Sequence, residues 1–421
     1  MKFKKNKISY FLRAFLFSFS LLICLNLLFM FVMYLETQNL KEGVPRPNFK
    51  TLLRVFERKQ LYYADVQNHI LLIEKGYEKI DTKAGDFDWG KRHINWAYHP
   101  LSPALGSLLN VIVGSPFWSL WILNQIALMT ILIGFSYWSR ANLLEKEKNL
   151  TAWLLLLFFI IPPLVYFVNF VILPGLLIGT VFFSFRSWLR NPQEKRAAFR
   201  VLVISSFLLG FTRFQGLLVN ASCILLLIIL VAWHRKFMGW GRVGILFLAN
   251  ISPLLITMGI FRYYANDPFA WAKIQESWGV SLVLPWQPII RYWKSGIIFN
   301  FQGDDLFFSY FRVFVLIIFT YFATKVILTK KNFIKNFIAR CYRDSFINLY
   351  FVAISFGLVV LIYFTDLMVG NHRLASLAYL SVLIWLEQSR SRMSRFALLF
   401  LLFIRIAEFT LFFMGVKAFI W

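Results

Sequence analysis

Apolar stretches recur along the whole chain, and most have the length of a membrane span rather than of a strand. The first covers 10–33 and the last 396–420. Between them lie 101–113, 117–138, 151–168, 171–186, 198–211, 215–233, 243–264, 306–328, 346–365 and 374–387. A helix crossing the hydrocarbon core needs about 20 such residues. Backbone in lipid has no water to bond to, so continuous runs of this kind read as helices. Composition agrees: of the 421 residues, 59% are hydrophobic and 15% charged, against about 25% charged in soluble domains. The sequence predicts an all-α, polytopic transmembrane bundle of about 10–12 spans in one integral-membrane domain, 1–421. Prolines 162, 163 and 174 and glycines 210 and 216 interrupt the runs. Broken or short helices at membrane depth suit a protein-lined cavity.

The formal net charge is +25, with 45 Lys+Arg against 20 Asp+Glu. In a soluble chain this would suggest nucleic acid. Here no basic stretch is interleaved with aromatics outside the apolar segments, so nucleic acid is excluded as a partner. Basic residues instead mark cytoplasmic loops. With the N-terminus inside and 101–113 taken as a partial or re-entrant helix, the inner segments carry 25 Lys+Arg and 5 acids. Outside the long first loop, the outer segments carry 5 Lys+Arg. That leaves two substantial extracytoplasmic loops, 34–100 and 265–305. The basic start followed by a long apolar run reads as an uncleaved first span with a cytoplasmic N-terminus. Cys24, Cys223 and Cys341 form no CxxC and no zinc spacing.

The polar clusters gather on the outer side, and each has a plain reading beside a chemical one. Read as a helix, Asp65, Asn68 and His69 share a face at 3–4 residue spacing, as an amphipathic helix at the surface would arrange them. Asp65 is either a solvated acid or a general base toward an acceptor hydroxyl. His99 precedes Pro100-Leu101-Ser102-Pro103, where it is part of an interfacial aromatic belt or a contact for phosphate or sugar. Asp86 and Asp88 admit a divalent metal, although a third ligand is missing. Thr212-Arg213-Phe214-Gln215-Gly216 interrupts a long apolar stretch. Arg213 there reaches lipid headgroups or faces a polar cavity, where its planar fork suits phosphate oxygens. Asn266-Asp267-Pro268 leads through Trp271 and Gln275 to Trp278-Gly279, an aromatic loop that anchors the membrane or binds sugar and lipid. Asp366 with Gly370-Asn371-His372-Arg373 forms a short outer turn. HExxH, GxSxG, Walker A and Rossmann patterns are all absent, which disfavours nucleotide-driven chemistry.

The order of these motifs resembles that of the second-mannose GPI mannosyltransferases (PIG-V type) and their bacterial relatives in the GT-C superfamily of membrane glycosyltransferases. Tyr63-Ala64-Asp65 with Gly76-Tyr77 matches the family's aromatic-Asp motif. Tyr98-His99-Pro100-Leu101-Ser102-Pro103 matches its Pro-Leu-x-Pro helix start, and Thr212-Arg213-Phe214-Gln215-Gly216 its Thr-Arg-x-x-Gly. Asn266-Asp267-Pro268, Gln275 and Trp278-Gly279 match a later segment, and Arg373 a late arginine. The likeness spans roughly 55–390. Two departures are visible: the usual Trp before the aspartate is absent, and Asn169 stands near the place of a family acid.

The resemblance implies a membrane glycosyltransferase moving a hexose, mannose first among candidates. The donor would be a polyprenyl-phosphate sugar and the acceptor a lipid or glycan of the cell envelope, on the extracytoplasmic side. Asp65 would be the catalytic base. His99, Arg213 and Arg373 would bind the donor phosphate, with Asp267, Gln275 and Trp278 in the substrate site. No cofactor is assigned, and a divalent metal is left open. The divergence from the GPI enzymes points to a bacterial plasma membrane. The alternative is a non-catalytic lipid or solute transporter or an envelope-assembly subunit, which would scatter these residues rather than gather them.

Overall fold

The computed structural model of the protein describes residues 2–38, 49–61, 64–82, 94–143, 149–150, 153, 172–190, 195–212, 214–233, 240–277 and 287. Of these, 89% are helical and none is in a strand. In chain order the helices are α1 (Lys2–Gln38), α2 (Phe49–Leu61), α3 (Ala64–Lys75), α4 (Leu101–Val113), α5 (Pro116–Asn142), α6 (Ile172–Arg190), α7 (Lys195–Gly210), α8 (Phe214–Trp233), α9 (Trp240–Ala265) and α10 (Ala270–Ser277). A 3-10 turn, Ile94–Ala97, precedes α4. The apolar runs at 306–328, 346–365, 374–387 and 396–420, and 151–168 apart from Trp153, lie outside the described residues.

Among the described residues, three helices are long and apolar enough to cross a membrane: α1 over Tyr10–Leu28, α5 over Pro116–Arg140, and α9 over Trp240–Ala265. Antiparallel packing joins α1 to α5. At one end the Tyr10 hydroxyl donates to the Ser136 carbonyl at 3.0 Å, and the Arg140 guanidinium lies 4.1 Å above the Tyr10 ring. Farther along, Asn26 Nδ2 donates to Gln125 Oε1 at 2.8 Å. The opposite side of α1 exposes Phe11, Phe15, Phe19 and Leu27, a band that suits hydrocarbon and not water. The amphipathic α2 packs on α1, with Phe56 buried against Phe117 at the start of α5.

The other half is built from α6, α7, α8 and α9. α6 packs on α5 and α7, burying Phe182, Phe185 and Trp188. α7 and α8 form a hairpin against α9. Gly210, the last residue of α7, backs onto Pro253; a Cβ there would lie 2.8 Å from Pro253 Cβ. Pro253 is 13 residues from the start of α9 and 12 from its end, about 20 Å from the start and 18 Å from the end at 1.5 Å per residue. The α7–α8 apex therefore stops midway along α9.

α4 has 13 residues and spans about 20 Å, short of the ~30 Å hydrocarbon core. Gly114 ends it in a left-handed conformation, φ 70°, with its amide N–H on the Asn110 carbonyl. Glycine enters that conformation without a Cβ clash. Pro116 then opens α5, as proline readily does in a first turn. α4 folds back along α5, with Gly106 against Leu120 and against Ile73 of α3.

Candidate functional site

Above the α7–α8 apex, the remaining half of α9 is covered by the segments 76–82 and 94–97 and by α10, with α3 packed on the 94–97 turn and on α4. α9 stops because Asn266 turns left-handed, φ 51°, a conformation asparagine tolerates better than most side chains. The last carbonyls of a helix have no partner within it. Here they find partners far away in the chain. Ile80 N–H donates to Tyr264 O at 2.8 Å, and Thr82 Oγ1 to Ala265 O at 2.7 Å. Arg262 donates to Asn266 O at 2.9 Å, and Asn266 Nδ2 to Asp81 Oδ1 at 2.9 Å.

Asp267 then starts α10. Its Oδ1 accepts the Phe269 amide at 2.8 Å, and its Oδ2 accepts from Lys273 Nζ. Partial burial works against its charge. The Lys273 and Phe269 hydrogen bonds, and the charges of Lys273 and Arg262, outweigh that and hold the carboxyl below its ordinary 3.8. Ala270 and Ile274 of α10 pack beneath Trp96 with Phe261 and Ala265. The Trp96 indole N–H donates to the Glu78 carbonyl at 3.0 Å.

Tyr98 is held at both ends. Asn68 Nδ2 donates to its hydroxyl at 3.3 Å, the His69 ring meets its ring edge-on at 4.8 Å, and the Tyr77 hydroxyl donates to its carbonyl at 2.6 Å. Burial, with the neighbouring Tyr264, pushes the Tyr77 phenol well above its ordinary value, so it stays a donor. This clamp positions the next residue, His99, which is 8% exposed with its ring 5.9 Å from that of Trp271. Two residues on, the Leu101 N–H donates to the Phe211 carbonyl at 3.3 Å, tying the segment to the α7–α8 apex. In the apex, Thr212 is buried, and its hydroxyl closes on Leu209 O at 2.6 Å.

Asp65 stands in the first turn of α3, one turn before Asn68 and His69. The surface helix expected there differs in one respect. Asn68 and His69 are buried alongside Val66, Leu72 and Ile73, while Leu71 is exposed. Asn68 and His69 turn toward Tyr98 because Tyr98 supplies a hydrogen bond to the one and a ring contact to the other. His99 and Asp267 are placed as above, and Gln275 lies within α10. Arg213 follows the buried Thr212 but, with Trp278, Arg373, Asn169, Asp86 and Asp88, lies outside the described residues. Among the described residues, no three His, Cys, Asp or Glu side chains could share a metal ion. Tyr77 and Thr82 act as anchors that the motif reading missed. Only the Gly76-Tyr77 match hinted at the first, and no local signal marks the second.

No protein-family model, curated protein or solved structure matches the chain.

Proposed function

We propose that the protein is a multi-pass membrane glycosyltransferase of GT-C type. In this reading it transfers a hexose, mannose by preference, from a polyprenyl-phosphate sugar to a lipid or glycan acceptor on the extracytoplasmic face of a bacterial plasma membrane. The observation that carries the reading is the meeting of separate motifs. α3 with Asp65 in its first turn, the His99 segment, the apex that precedes Arg213, and α10 with Trp271 all converge on Tyr98–Leu101. The motif order and the bias of basic residues toward one side add support.

Asp65 takes the proton of an acceptor hydroxyl as that oxygen attacks the anomeric carbon of the donor sugar. The bond from that carbon to the phosphate oxygen breaks, and polyprenyl phosphate leaves with the electron pair. His99, Arg213 and Arg373 stabilise the charge that develops on the departing phosphate. Asp267, Gln275 and Trp278 border the substrate: Asp267 by fixing the start of α10, Gln275 and Trp278 by contact. A donor already carried on a lipid needs no nucleotide-binding fold.

The test is transfer of label from polyprenyl-phosphate mannose to extracted envelope lipids by purified wild type and Asp65→Asn. Product from wild type alone, with equal expression and equal thermal stability, is the expected result. Full activity in Asp65→Asn would remove that residue from the role. No product from either, with mannose, glucose and arabinose donors and with added divalent metal, would overturn the enzyme reading.

A further inference from the structure

Midway along α9, three helices each bury a side-chain oxygen that has no hydrogen-bond partner. Ser206 on α7, Asn220 on α8 and Asn250 on α9 are 1%, 0% and 7% exposed. Both asparagines use an amide hydrogen close at hand: Asn220 Nδ2 donates to Ser206 O at 2.6 Å, and Asn250 Nδ2 to Leu246 O at 2.6 Å. Neither Oδ1 has a partner, and neither does Ser206 Oγ. Buried polar atoms are almost always satisfied, so three orphans in one region call for an explanation.

Register brings them to one level. Gly216 of α8 backs onto Leu209 of α7. In that antiparallel hairpin, Asn220, one turn further on, stands level with Ser206, as its amide bond there requires. Gly210 backs onto Pro253. α8 reverses the chain between α7 and α9, so those two run parallel. Ser206 and Asn250, each one turn before that contact, therefore border the same seam. Pro253 adds a fourth oxygen, since without an N–H it leaves the Ala249 carbonyl short of its i+4 partner.

We propose that this seam is a binding site for one water molecule that joins α7, α8 and α9. The water donates one hydrogen to Asn220 Oδ1 and one to Asn250 Oδ1, and it accepts the Ser206 hydroxyl. Buried waters typically make about three such bonds. A sodium ion would also suit oxygen ligands, but α7, α8 and α9 carry no Asp or Glu, so its charge would be buried uncompensated. The joint holds the α7–α8 hairpin at its fixed depth on α9, and with it the apex at Phe211–Thr212. The site stands apart from the transfer chemistry proposed above.

The test combines a density map of the full wild-type chain, at a resolution that shows ordered solvent, with thermal unfolding of variants in detergent. One solvent peak within about 2.7–3.2 Å of Asn220 Oδ1, Asn250 Oδ1 and Ser206 Oγ is expected. Asn250→Leu removes one acceptor and should lower Tm by about 1–3 °C. Combining it with Asn220→Leu and Ser206→Ala removes the remaining orphans and should recover at least half of that loss. No peak in the map overturns the proposal, as do losses that simply add. A Tm that rises when choline chloride is replaced by sodium chloride identifies a cation and also overturns it. The wild-type map decides the matter if the variants fail to fold.

Discussion

Gly210→Ala tests whether the α7–α8 hairpin meets α9 where the structure places it. The added Cβ would lie 2.8 Å from Pro253 Cβ and 2.9 Å from Pro253 Cγ. Carbon atoms in contact prefer about 3.5–4.0 Å, so α7 and α9 would have to part by roughly 0.7 Å. Pro253 cannot rotate aside, because its ring is locked to the backbone. Overpacking of this kind costs about 1–3 kcal/mol. The helix-propensity gain of alanine over glycine offsets up to about 1 kcal/mol, and less at a helix end. A net loss of about 1–2 kcal/mol lowers Tm of a single domain of this size by roughly 1–2 °C. Gly259, six residues beyond Pro253 on the same α9, has nothing within 4 Å of a built Cβ. There the same substitution keeps only the propensity gain of about 1 kcal/mol and should raise Tm by roughly 1 °C. Thermal unfolding of both variants and wild type, in one detergent and at one scan rate, reads the difference. Shifts of the same sign, or Gly210→Ala at or above wild type, would refute the contact.

Three further outcomes follow from the cluster around Tyr98 and α10. Trp96→Ala empties a fully buried indole site and should cost about 3–5 kcal/mol, seen as a large fall in Tm; Trp96→Phe should restore most of it. Tyr77→Phe removes the 2.6 Å bond to the Tyr98 carbonyl and should cost about 0.5–1.5 kcal/mol. Because the folded phenol titrates above its ordinary 10.0, its contribution is fully present below that value. It fades as pH rises toward the folded value, so the deficit of the Phe variant should be constant across neutral pH. Asp267→Asn keeps a capping side chain and removes the charge. The wild-type carboxyl titrates below its ordinary 3.8, so its stabilisation is present above that value and lost as pH falls through the depressed one. Melting curves of wild type and Asp267→Asn should converge over that acid window, and curves that stay parallel would contradict the assignment.

What the sequence made legible is what depends on neighbours along the chain. The apolar runs at 10–33, 117–138 and 243–264 correspond to α1, α5 and α9, because an apolar stretch of that length has few other options. The shortness of α4 was readable for the same reason, with Pro100 before it and Gly114-Ser115-Pro116 after it. The depth of the α7–α8 apex was not readable. It depends on Gly210 meeting Pro253, residues of two helices whose contact no periodicity encodes. The inward turn of Asn68 and His69 was hidden too, since it depends on Tyr98, thirty residues on. The caps of α9 come from Ile80 and Thr82, more than 180 residues earlier. Asn220 and Asn250 did leave a trace, as amides inside otherwise apolar runs, but only the packing gives them a common level.

The depth of His99 follows from how two short helices end. α7 finishes halfway along α9, which leaves C-terminal carbonyls without partners within that helix. α4 begins at the same level, and its first N–H groups are equally unpartnered. The Leu101 N–H on the Phe211 carbonyl satisfies one orphan of each kind. It also sets the positive end of one helix dipole against the negative end of another. The segment 94–101 must then descend from the end of α9, where Trp96 packs on Phe261 and Ala265, to the level of the apex. His99 lies on that descent, enclosed by Tyr98 and Trp271. A full-length α7 would place the apex near the end of α9 and remove the reason for the descent. The interruption after Gly210 thus does for tertiary structure what a binding motif does for chemistry. It opens half the length of α9 to polar elements, and the buried Thr212 stands at the floor of that space.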